Sequence, residues 1–315
     1  MLKKVIVIVG PTAVGKSAVS LELGRSLPVE IISGDSMQVY QGMDIGTGKI
    51  SKEEQKAVPH HLIDIQNPMD TFSAAAFQQQ TKKLIAEIHE RGNIPVIVGG
   101  SGLYIQAVLY NYHFSHQKRN EKVTEQLEKR LEQAGNIALY EELASIDPKH
   151  AETIHPNNHR RVIRALEVYY TTQQTMSAYQ EKQKNLKPLY NSFIIGLEME
   201  RQKLYDKINR RVEKMLEEGL LDEIRVMLQR GYREAPAMKA IGYKELIPYL
   251  DGEVSLHDAT ALLKRNSRRY AKRQLTWFKN KMKEDVHWYT MEEEPANVTA
   301  AIRCAAEKFI NKGTL

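Results

Sequence analysis

The chain has 315 residues, of which 42% are hydrophobic and 27% are charged, a balance typical of globular proteins rather than of disordered or fibrous ones. Its longest apolar run, Val5 to Val9, is too short to cross a bilayer, and its single cysteine excludes an intrachain disulfide and a cysteine-built zinc site. We therefore expect a cytoplasmic protein without membrane segments. Since nothing in the sequence demands more, we also expect a monomer.

The N-terminal third alternates between strand and helix patterns. Val5 to Val9 predicts a fully buried strand, and Ser17 to Leu27 has apolar residues at helical spacing. Further strands are predicted at Glu30 to Ser33 and Pro95 to Gly99, with a long helix from Phe72 to Arg91 between them. This alternation predicts an α/β fold with a parallel sheet flanked by helices, and Gly15-Lys16-Ser17 between the first strand and helix makes the sheet P-loop NTPase-like.

Beyond Tyr110 the chain has helical periodicity and no strand pattern until Phe193 to Leu197. We therefore predict a helical insertion domain at 113–190, within a catalytic core made of 1–112 and 191–315. The final third is again mostly helical, and one helix has an apolar stripe formed by Leu204, Ile208, Val212 and Met215. His287 to Tyr289 predicts a last strand.

A complete phosphate-binding motif, G-x-x-x-x-G-K-[ST], lies between the first predicted strand and helix. Its residues, which we predict to bind a diphosphate or a nucleotide, are Gly10, Pro11, Thr12, Ala13, Val14, Gly15, Lys16 and Ser17. In such a loop the backbone amides donate to phosphate oxygens, the lysine neutralises their charge, and the serine hydroxyl can bind Mg²⁺. The motif does not distinguish ATP from another organic diphosphate.

An acidic metal ligand of the usual NTPase kind is missing, since the strand ending at Gly99 continues as Gly100, Ser101 and Gly102. An acid follows the second strand instead, at Asp35, where the carboxyl end of a parallel strand faces the ligand. Asp35 could be a general base, a residue that orients the metal, or only a cap on the next helix. The spacing alone does not choose among these roles.

Several segments together resemble the bacterial tRNA dimethylallyltransferase family over nearly the whole chain. They are Gly10–Ser17, Asp35–Tyr40, Asp44–Lys49, Pro59–Asp64, Gly99–Tyr104, His155–Glu167, Ala240–Tyr243 and Lys272–Trp277. The resemblance implies transfer of a dimethylallyl group from dimethylallyl diphosphate to the exocyclic amine of the adenosine 3′-adjacent to the anticodon in tRNA. Isopentenyladenosine and diphosphate are the implied products, and Mg²⁺ is the implied cofactor. The phosphate loop would then hold a prenyl donor, and no ATP would be needed.

Within that resemblance, four residues are implied to be catalytic. Lys16, and Mg²⁺ on Ser17, would stabilise the leaving diphosphate, and Asp35 would accept the proton of the amine. An arginine of the helix after the insertion would also contact the diphosphate. Arg211 is the implied residue, and the sequence leaves its neighbour Arg210 open.

Residues implied to contact tRNA lie in three regions. Beside the site they are Asp35, Ser36, Met37, Gln38 and Ser101, although Gly99 to Gly102 could equally be only a tight turn between strand and helix. In the insertion they are His159, Arg160, Arg161, Val162 and Ile163, which would meet the anticodon stem-loop. Near the C-terminus they are Lys272 and Arg273.

Lys272 and Arg273 belong to the most basic stretch of the chain. Between residues 264 and 283 there are nine Lys or Arg and no Asp or Glu, whereas the whole chain has a net charge of only +6. Its members Arg265, Arg268, Arg269, Lys272 and Arg273 recur at helical spacing, so we predict one long basic helix that follows a tRNA backbone. An exposed helix with surface ion pairs is the alternative interpretation.

Three other functions remain open from the sequence. The enzyme could keep this fold and donor but prenylate free adenine nucleotides, as the related adenylate isopentenyltransferases do, although such an enzyme needs no basic insertion. The phosphate loop could instead serve a kinase that uses ATP, or the chain could bind RNA without catalysis. We assign no role to His60, His61, His155 or His159 as metal ligands, because no recurring pair of ligands accompanies them.

Overall fold

In the computed structural model, which describes residues 2–112, 114, 120–183, 186–292 and 294–312, six strands form one parallel sheet. The strands are β1 (Lys4–Val9), β2 (Val29–Ser33), β3 (His60–His61), β4 (Ile94–Gly99), β5 (Asn191–Glu198) and β6 (Val286–Thr290). Their order across the sheet is β3-β2-β4-β1-β5-β6. The predicted α/β fold with a parallel sheet is thus confirmed.

Thirteen α-helices lie within the same described residues. They are α1 (Lys16–Ser26), α2 (Lys52–Ala57), α3 (Ala74–Glu90), α4 (Gly102–Leu109), α5 (Glu121–Ile146), α6 (Pro148–Ala151), α7 (His159–Thr172), α8 (Met176–Gln183), α9 (Arg201–Glu217), α10 (Leu220–Gln229), α11 (Ile247–Leu250), α12 (Leu256–Lys281) and α13 (Pro295–Asn311). A 3₁₀ turn spans Pro236–Lys239. None of these helices is long and apolar enough to cross a membrane.

The central strand β1 is buried on both faces. Ile6 and Ile8 pack in one cluster with residues of α1 and α13, and the alternate residues Val5 and Val7 are also fully inaccessible. Because side chains of a strand point alternately to opposite faces, helices must cover both sides of β1. This explains why the strand reads as a continuous apolar run.

The helix α9 shows the predicted stripe, since its buried residues are Leu204, Ile208, Val212 and Met215. The strand β3 was not predicted, because its two residues are too short for a periodic pattern. Its His61 Nε2 lies 2.7 Å from Glu30 Oε2, and Arg91 Nε donates to the other oxygen of Glu30 at 2.8 Å. His61 therefore belongs to a polar cluster that joins two neighbouring strands.

The chain divides into two compact units, one made of Met1–Leu109 and Leu189–Leu315 and the other of Tyr110–Pro188. The second unit contains α5 to α8, and its core includes Leu139, Leu143 and Leu166. Within α5, Gly135 has φ 80° and ψ 172°, so the helix is kinked there. The first residue predicted for the insertion, 113, lies outside the described residues.

Candidate active site

The loop between β1 and α1 contains the predicted phosphate-binding residues. Gly10 and Gly15 have φ of 147° and 112°, values that glycine adopts readily. A Cβ on Gly10 would lie 2.5 Å from the carbonyl oxygen of Leu197, so only glycine fits where the loop passes β5. The Lys16 ammonium donates to the carbonyl oxygens of Gly10 at 2.9 Å and Pro11 at 2.8 Å. It therefore lies across the loop itself.

The turn after β2 brings Asp35 to the same edge of the sheet. The Gly34 amide donates to the carbonyl oxygen of Val98 at 2.7 Å, which ties this turn to the end of β4. Asp35 Oδ1 accepts a hydrogen bond from the Met37 amide at 2.9 Å, so the side chain caps the turn. Its other oxygen accepts no hydrogen bond from the described residues and is available to a ligand.

Two adjoining cavities open beside these residues. The phosphate cavity, of about 280 Å³, is bordered by Lys16, Ser17, Gln38 and Gly48. The apolar cavity, of about 310 Å³, is bordered by Ile208, Val212, Met215, Ile241 and Leu263. Five residues border both cavities and form their common wall: Thr12, Asp35, Thr47, Arg211 and Tyr270.

Residues 38–281 match the protein family described as IPP transferase. The chain belongs to the IPP transferase family. It is 53% identical over 292 residues to the tRNA dimethylallyltransferase of Oceanobacillus iheyensis, covering 93% of this chain and 92% of that protein. The full-length tRNA isopentenylpyrophosphate transferase of Bacillus halodurans is 49% identical, with a TM-score of 0.72 and coverage of 99% of this chain and 98% of that one.

A further solved structure extends the family likeness to eukaryotes. It is a eukaryotic dimethylallyltransferase described as acting on tRNA, 32% identical to this chain, with a TM-score of 0.84. The alignment covers 98% of this chain and 80% of that one. The family resemblance derived from the sequence motifs is thus confirmed, and the chain is a prenyltransferase of this family.

Three charged side chains, Lys16, Asp35 and Arg211, interact where they border the phosphate cavity. Burial lowers the pKa of Lys16 to about 8; the Asp35 carboxylate opposes this shift, and the Arg211 guanidinium adds to it. Burial also lowers the pKa of Arg211, again opposed by Asp35. Two cations thus lie close enough to repel each other, an arrangement that an anionic ligand between them would relieve.

Diphosphate binding should therefore weaken at high pH. Lys16 is charged below its pKa of about 8 and neutral above it, so affinity for inorganic diphosphate should fall above about pH 8, by up to about tenfold per pH unit. The Lys16→Arg variant, whose charge persists to much higher pH, should lack this fall. Titration calorimetry measures the diphosphate affinity of both proteins across this pH range. Ionisation of the diphosphate affects both affinities equally, so it cancels in the comparison. An identical pH dependence in the two would contradict the assignment.

The two arginines left open by the sequence differ in position. Arg211 is half-buried and borders both cavities, and its Nη2 donates to the carbonyl oxygen of Thr47 at 3.4 Å. Arg210, one position earlier on α9, is exposed and borders neither cavity. The geometry therefore favours Arg211 as the residue that meets a diphosphate.

The residues after Asp35 divide between the two cavities. Ser36 and Met37 border the apolar cavity, and Gln38 borders the phosphate cavity. The Gln38 amide already has partners at both ends, because its Oε1 accepts from Ser33 Oγ at 2.9 Å and its Nε2 donates to Gly48 O at 3.3 Å. To read an adenine edge, Gln38 would have to exchange one of these bonds.

Two site residues that were not predicted come from α12. The Tyr270 hydroxyl shares hydrogen bonds with the side chains of Ser101 and Gln274, and burial raises its pKa to about 12. Gln274 Oε1 accepts from the Thr12 amide at 2.9 Å, which links the basic helix to the phosphate loop. Gln274 lies in a family-like segment of the sequence, the one signal that could have marked it. Ser101 thus has a defined partner in the site.

The insertion residues predicted to meet tRNA fall into two groups. His159, Arg160 and Arg161 are exposed on the first turn of α7, whereas Val162 and Ile163 are buried in the core of their own unit. For Val162 and Ile163, contact through the side chain is therefore excluded in this conformation, because those side chains do not reach the surface.

The predicted basic helix is confirmed as α12, which spans 26 residues. Arg265, Arg269, Lys272 and Arg273 are exposed along it, and among the described residues none has an acidic partner. Arg268 departs from the predicted stripe, because its Nη1 donates to Asn209 Oδ1 at 2.6 Å. Of the five residues predicted for the stripe, four are therefore exposed and free of acidic partners among the described residues, and Arg268 is partly buried against α9.

Proposed function

We propose that this enzyme transfers a dimethylallyl group from dimethylallyl diphosphate to the exocyclic amine of the adenosine 3′-adjacent to the anticodon in tRNAs. The products are isopentenyladenosine and diphosphate. The observation that carries the proposal is the common wall, where Asp35 and Arg211 lie between a polar and an apolar cavity, with Lys16 on the polar side. A prenyl diphosphate has the same division into an anionic and a hydrocarbon part. The names of the relatives support tRNA as the acceptor.

The phosphate cavity would activate the leaving group. As the bond between the allylic carbon and the diphosphate oxygen breaks, negative charge grows on the diphosphate. Lys16 would leave its carbonyl partners on the loop and donate to the diphosphate, and Arg211 would approach it from α9. Such fixed charges stabilise a transition state more than a ground state because the charge they meet is still developing. The apolar side chains that border the apolar cavity would keep water from the allylic carbon.

The residues present fit a magnesium ion bound jointly with substrate. Within the described part of the chain, no group of three or more His, Cys, Asp or Glu could hold a metal alone. Ser17 is exposed at the start of α1, and the small cavity beside it is also bordered by His60, whose buried Nε2 has no partner there. Mg²⁺ typically takes few protein ligands, and the remainder come from water and phosphate oxygens. We propose that the Ser17 hydroxyl holds Mg²⁺, which when bound would neutralise charge on the leaving diphosphate.

Asp35 would receive the proton that the amine loses. The adenine amine is a poor nucleophile, and its nitrogen must shed a proton once the new carbon–nitrogen bond forms. Asp35 borders both cavities, and the allylic carbon and the amine would meet at this common wall. An anticodon-loop base must leave its stack to enter the site, and the polar groups of Ser36, Gln38 and Ser101 would then contact its edge.

The acceptor RNA would bind through two basic surfaces. We propose that the anticodon stem-loop contacts the 113–190 domain, where His159, Arg160 and Arg161 are exposed, and that the tRNA backbone follows α12. We also propose that the enzyme acts as a monomer in the cytoplasm, the compartment that holds its acceptor. Free AMP would need neither surface.

Removing one exposed cation of α12 should weaken tRNA binding in a salt-dependent way. Lys272→Ala should reduce the slope of log Kd against log salt by about 1, because each phosphate contact releases condensed counterions. Lys279→Ala is a matched control, since Lys279 lies on the same helix but pairs with Glu198 at 2.6 Å. Fluorescence anisotropy with labelled tRNA measures both. Equal slopes for wild type and Lys272→Ala would exclude Lys272 from the tRNA interface.

One assay tests the function directly. The enzyme is incubated with unmodified tRNA, Mg²⁺ and dimethylallyl diphosphate, without ATP, and the nucleosides are analysed by mass. Prenylated adenosine in tRNA is the expected product. Product formed only from AMP in a parallel reaction would move the function to adenine nucleotides. Absence of product from either acceptor, together with ADP formation when ATP is supplied, would replace the proposal by a kinase.

A further inference from the structure

The loop of residues 44–48 forms one side of both cavities. Gly46 and Thr47 border the apolar cavity, and Thr47 and Gly48 border the phosphate cavity. The carbonyl oxygen of Thr47 accepts from Arg211, and that of Gly48 accepts from Gln38. The path of this loop therefore fixes the surroundings of two site residues.

The contact between Gly48 and Arg211 is especially close. Gly48 has φ 58°, and a Cβ built on it would lie only 1.9 Å from Arg211 Nη2. The guanidinium therefore lies directly against the backbone of the loop, with no room for a side chain between them. A small displacement of the loop would move the arginine away from the diphosphate.

A carboxylate outside both cavities holds this loop. Glu223, on α10, accepts from the amides of Asp44 at 2.7 Å and Ile45 at 2.8 Å through Oε2, and from Gly46 at 3.0 Å through Oε1. Oε1 also accepts from the Tyr243 hydroxyl at 2.6 Å. Three consecutive amides converging on one anion form a backbone nest. Without the carboxylate, these amides would lose their common acceptor.

Tyr243 contacts both Glu223 and the loop. A Cβ on Gly46 would lie 2.5 Å from the Tyr243 ring, so the ring packs directly on the loop backbone. Tyr243 is fully buried, and burial together with the Glu223 carboxylate raises its pKa, which keeps the hydroxyl a donor. Glu223 thus has four donors and borders neither cavity.

We infer that Glu223 is a positioning residue for diphosphate binding, acting through the 44–48 loop on Arg211. It touches no substrate; instead, its negative charge organises the loop amides, and the loop places the guanidinium. The choice of diphosphate as the ligand rests on the proposed function. The effect of Glu223 on the loop does not depend on that function, so the loop effect and the proposed reaction can be refuted separately.

The test compares Glu223→Gln with wild type by two measurements. Amide hydrogen exchange at residues 44–46 should accelerate roughly ten- to a hundredfold, because a neutral amide is a weaker acceptor than a carboxylate and supplies only one oxygen. Affinity for inorganic diphosphate with Mg²⁺ should fall by a similar factor, and tRNA affinity should not change. Asp222→Asn, at an exposed neighbour that pairs with Arg225 at 2.6 Å, is the matched control and should change neither quantity.

A double-mutant cycle tests whether the effect passes through Arg211. In an Arg211→Ala background, Glu223→Gln should cost little further diphosphate affinity, because the group that it positions is already gone. An equal loss in both backgrounds, or unchanged exchange and affinity in the single variant, would overturn the inference. Should Glu223→Gln not fold, Glu223→Asp, which keeps the charge on a shorter side chain, carries the same predictions. Faster exchange and weaker diphosphate binding in an enzyme that shows no prenyl transfer would sustain the inference and refute only the proposed reaction.

Discussion

Replacing Asp35 by alanine should lower turnover by roughly 10² to 10⁴ fold while tRNA affinity stays nearly unchanged. Asp35 borders both cavities, and at their common wall the amine of the acceptor would lose its proton. A positioned proton acceptor contributes to the chemical step and little to the grip on a large RNA. Single-turnover rates at saturating tRNA, with binding measured separately, give the two quantities.

The asparagine variant separates the three roles that the sequence leaves open for Asp35. An asparagine side chain keeps an oxygen for the Met37 amide, which Asp35 Oδ1 now bonds at 2.9 Å, so the capped turn should survive in Asp35→Asn. If Asp35 is the proton acceptor, asparagine should lower turnover nearly as much as alanine does, with donor affinity intact. If Asp35 orients the metal, the variant should lose diphosphate affinity in the presence of Mg²⁺. Turnover at the wild-type level in Asp35→Asn would exclude the first two roles and leave only the capping role.

The sheet and its phosphate loop were predictable because their causes are local in the sequence. A fully apolar run is required of a strand covered on both faces, and β1 is such a strand. The glycines and the lysine of the loop at Gly10–Ser17 follow it directly. The stripe of α9 was likewise predictable, because one face of a helix repeats every three or four residues.

Other parts of the site depend on contacts between distant residues, which no local pattern encodes. Gln274 meets the amide of Thr12 across 262 positions, and Glu223 meets the amide of Asp44 across 179. Both side chains bind backbone amides. Because every residue except proline has such an amide, the sequence does not show which loop these side chains contact. The burial of Val162, which excludes contact between its side chain and RNA, was not predicted for a related reason. A family motif contains both core and surface residues, so a match does not show which of them are exposed.

Lys16→Ala should cost roughly 10² to 10³ fold in turnover, beyond any loss in donor affinity. Lys16 lies across the phosphate loop with the Gly10 and Pro11 carbonyl oxygens as partners, and it would exchange these partners for the diphosphate. Charge on the leaving diphosphate is greatest as the allylic bond breaks. The lysine should therefore stabilise the transition state more than the bound donor.

A matched control for this variant lies on the same helix. Arg25→Ala removes one positive charge from the last turn of α1, where the side chain is exposed, and should leave turnover unchanged. Thermal unfolding of both variants checks that the loop carbonyls freed in Lys16→Ala do not disturb the fold. A Lys16→Ala enzyme that binds the donor more weakly but turns over at the wild-type rate would show that Lys16 contributes only to donor binding. Activation of the leaving group would then have to come from Arg211 and from the metal bound with the diphosphate.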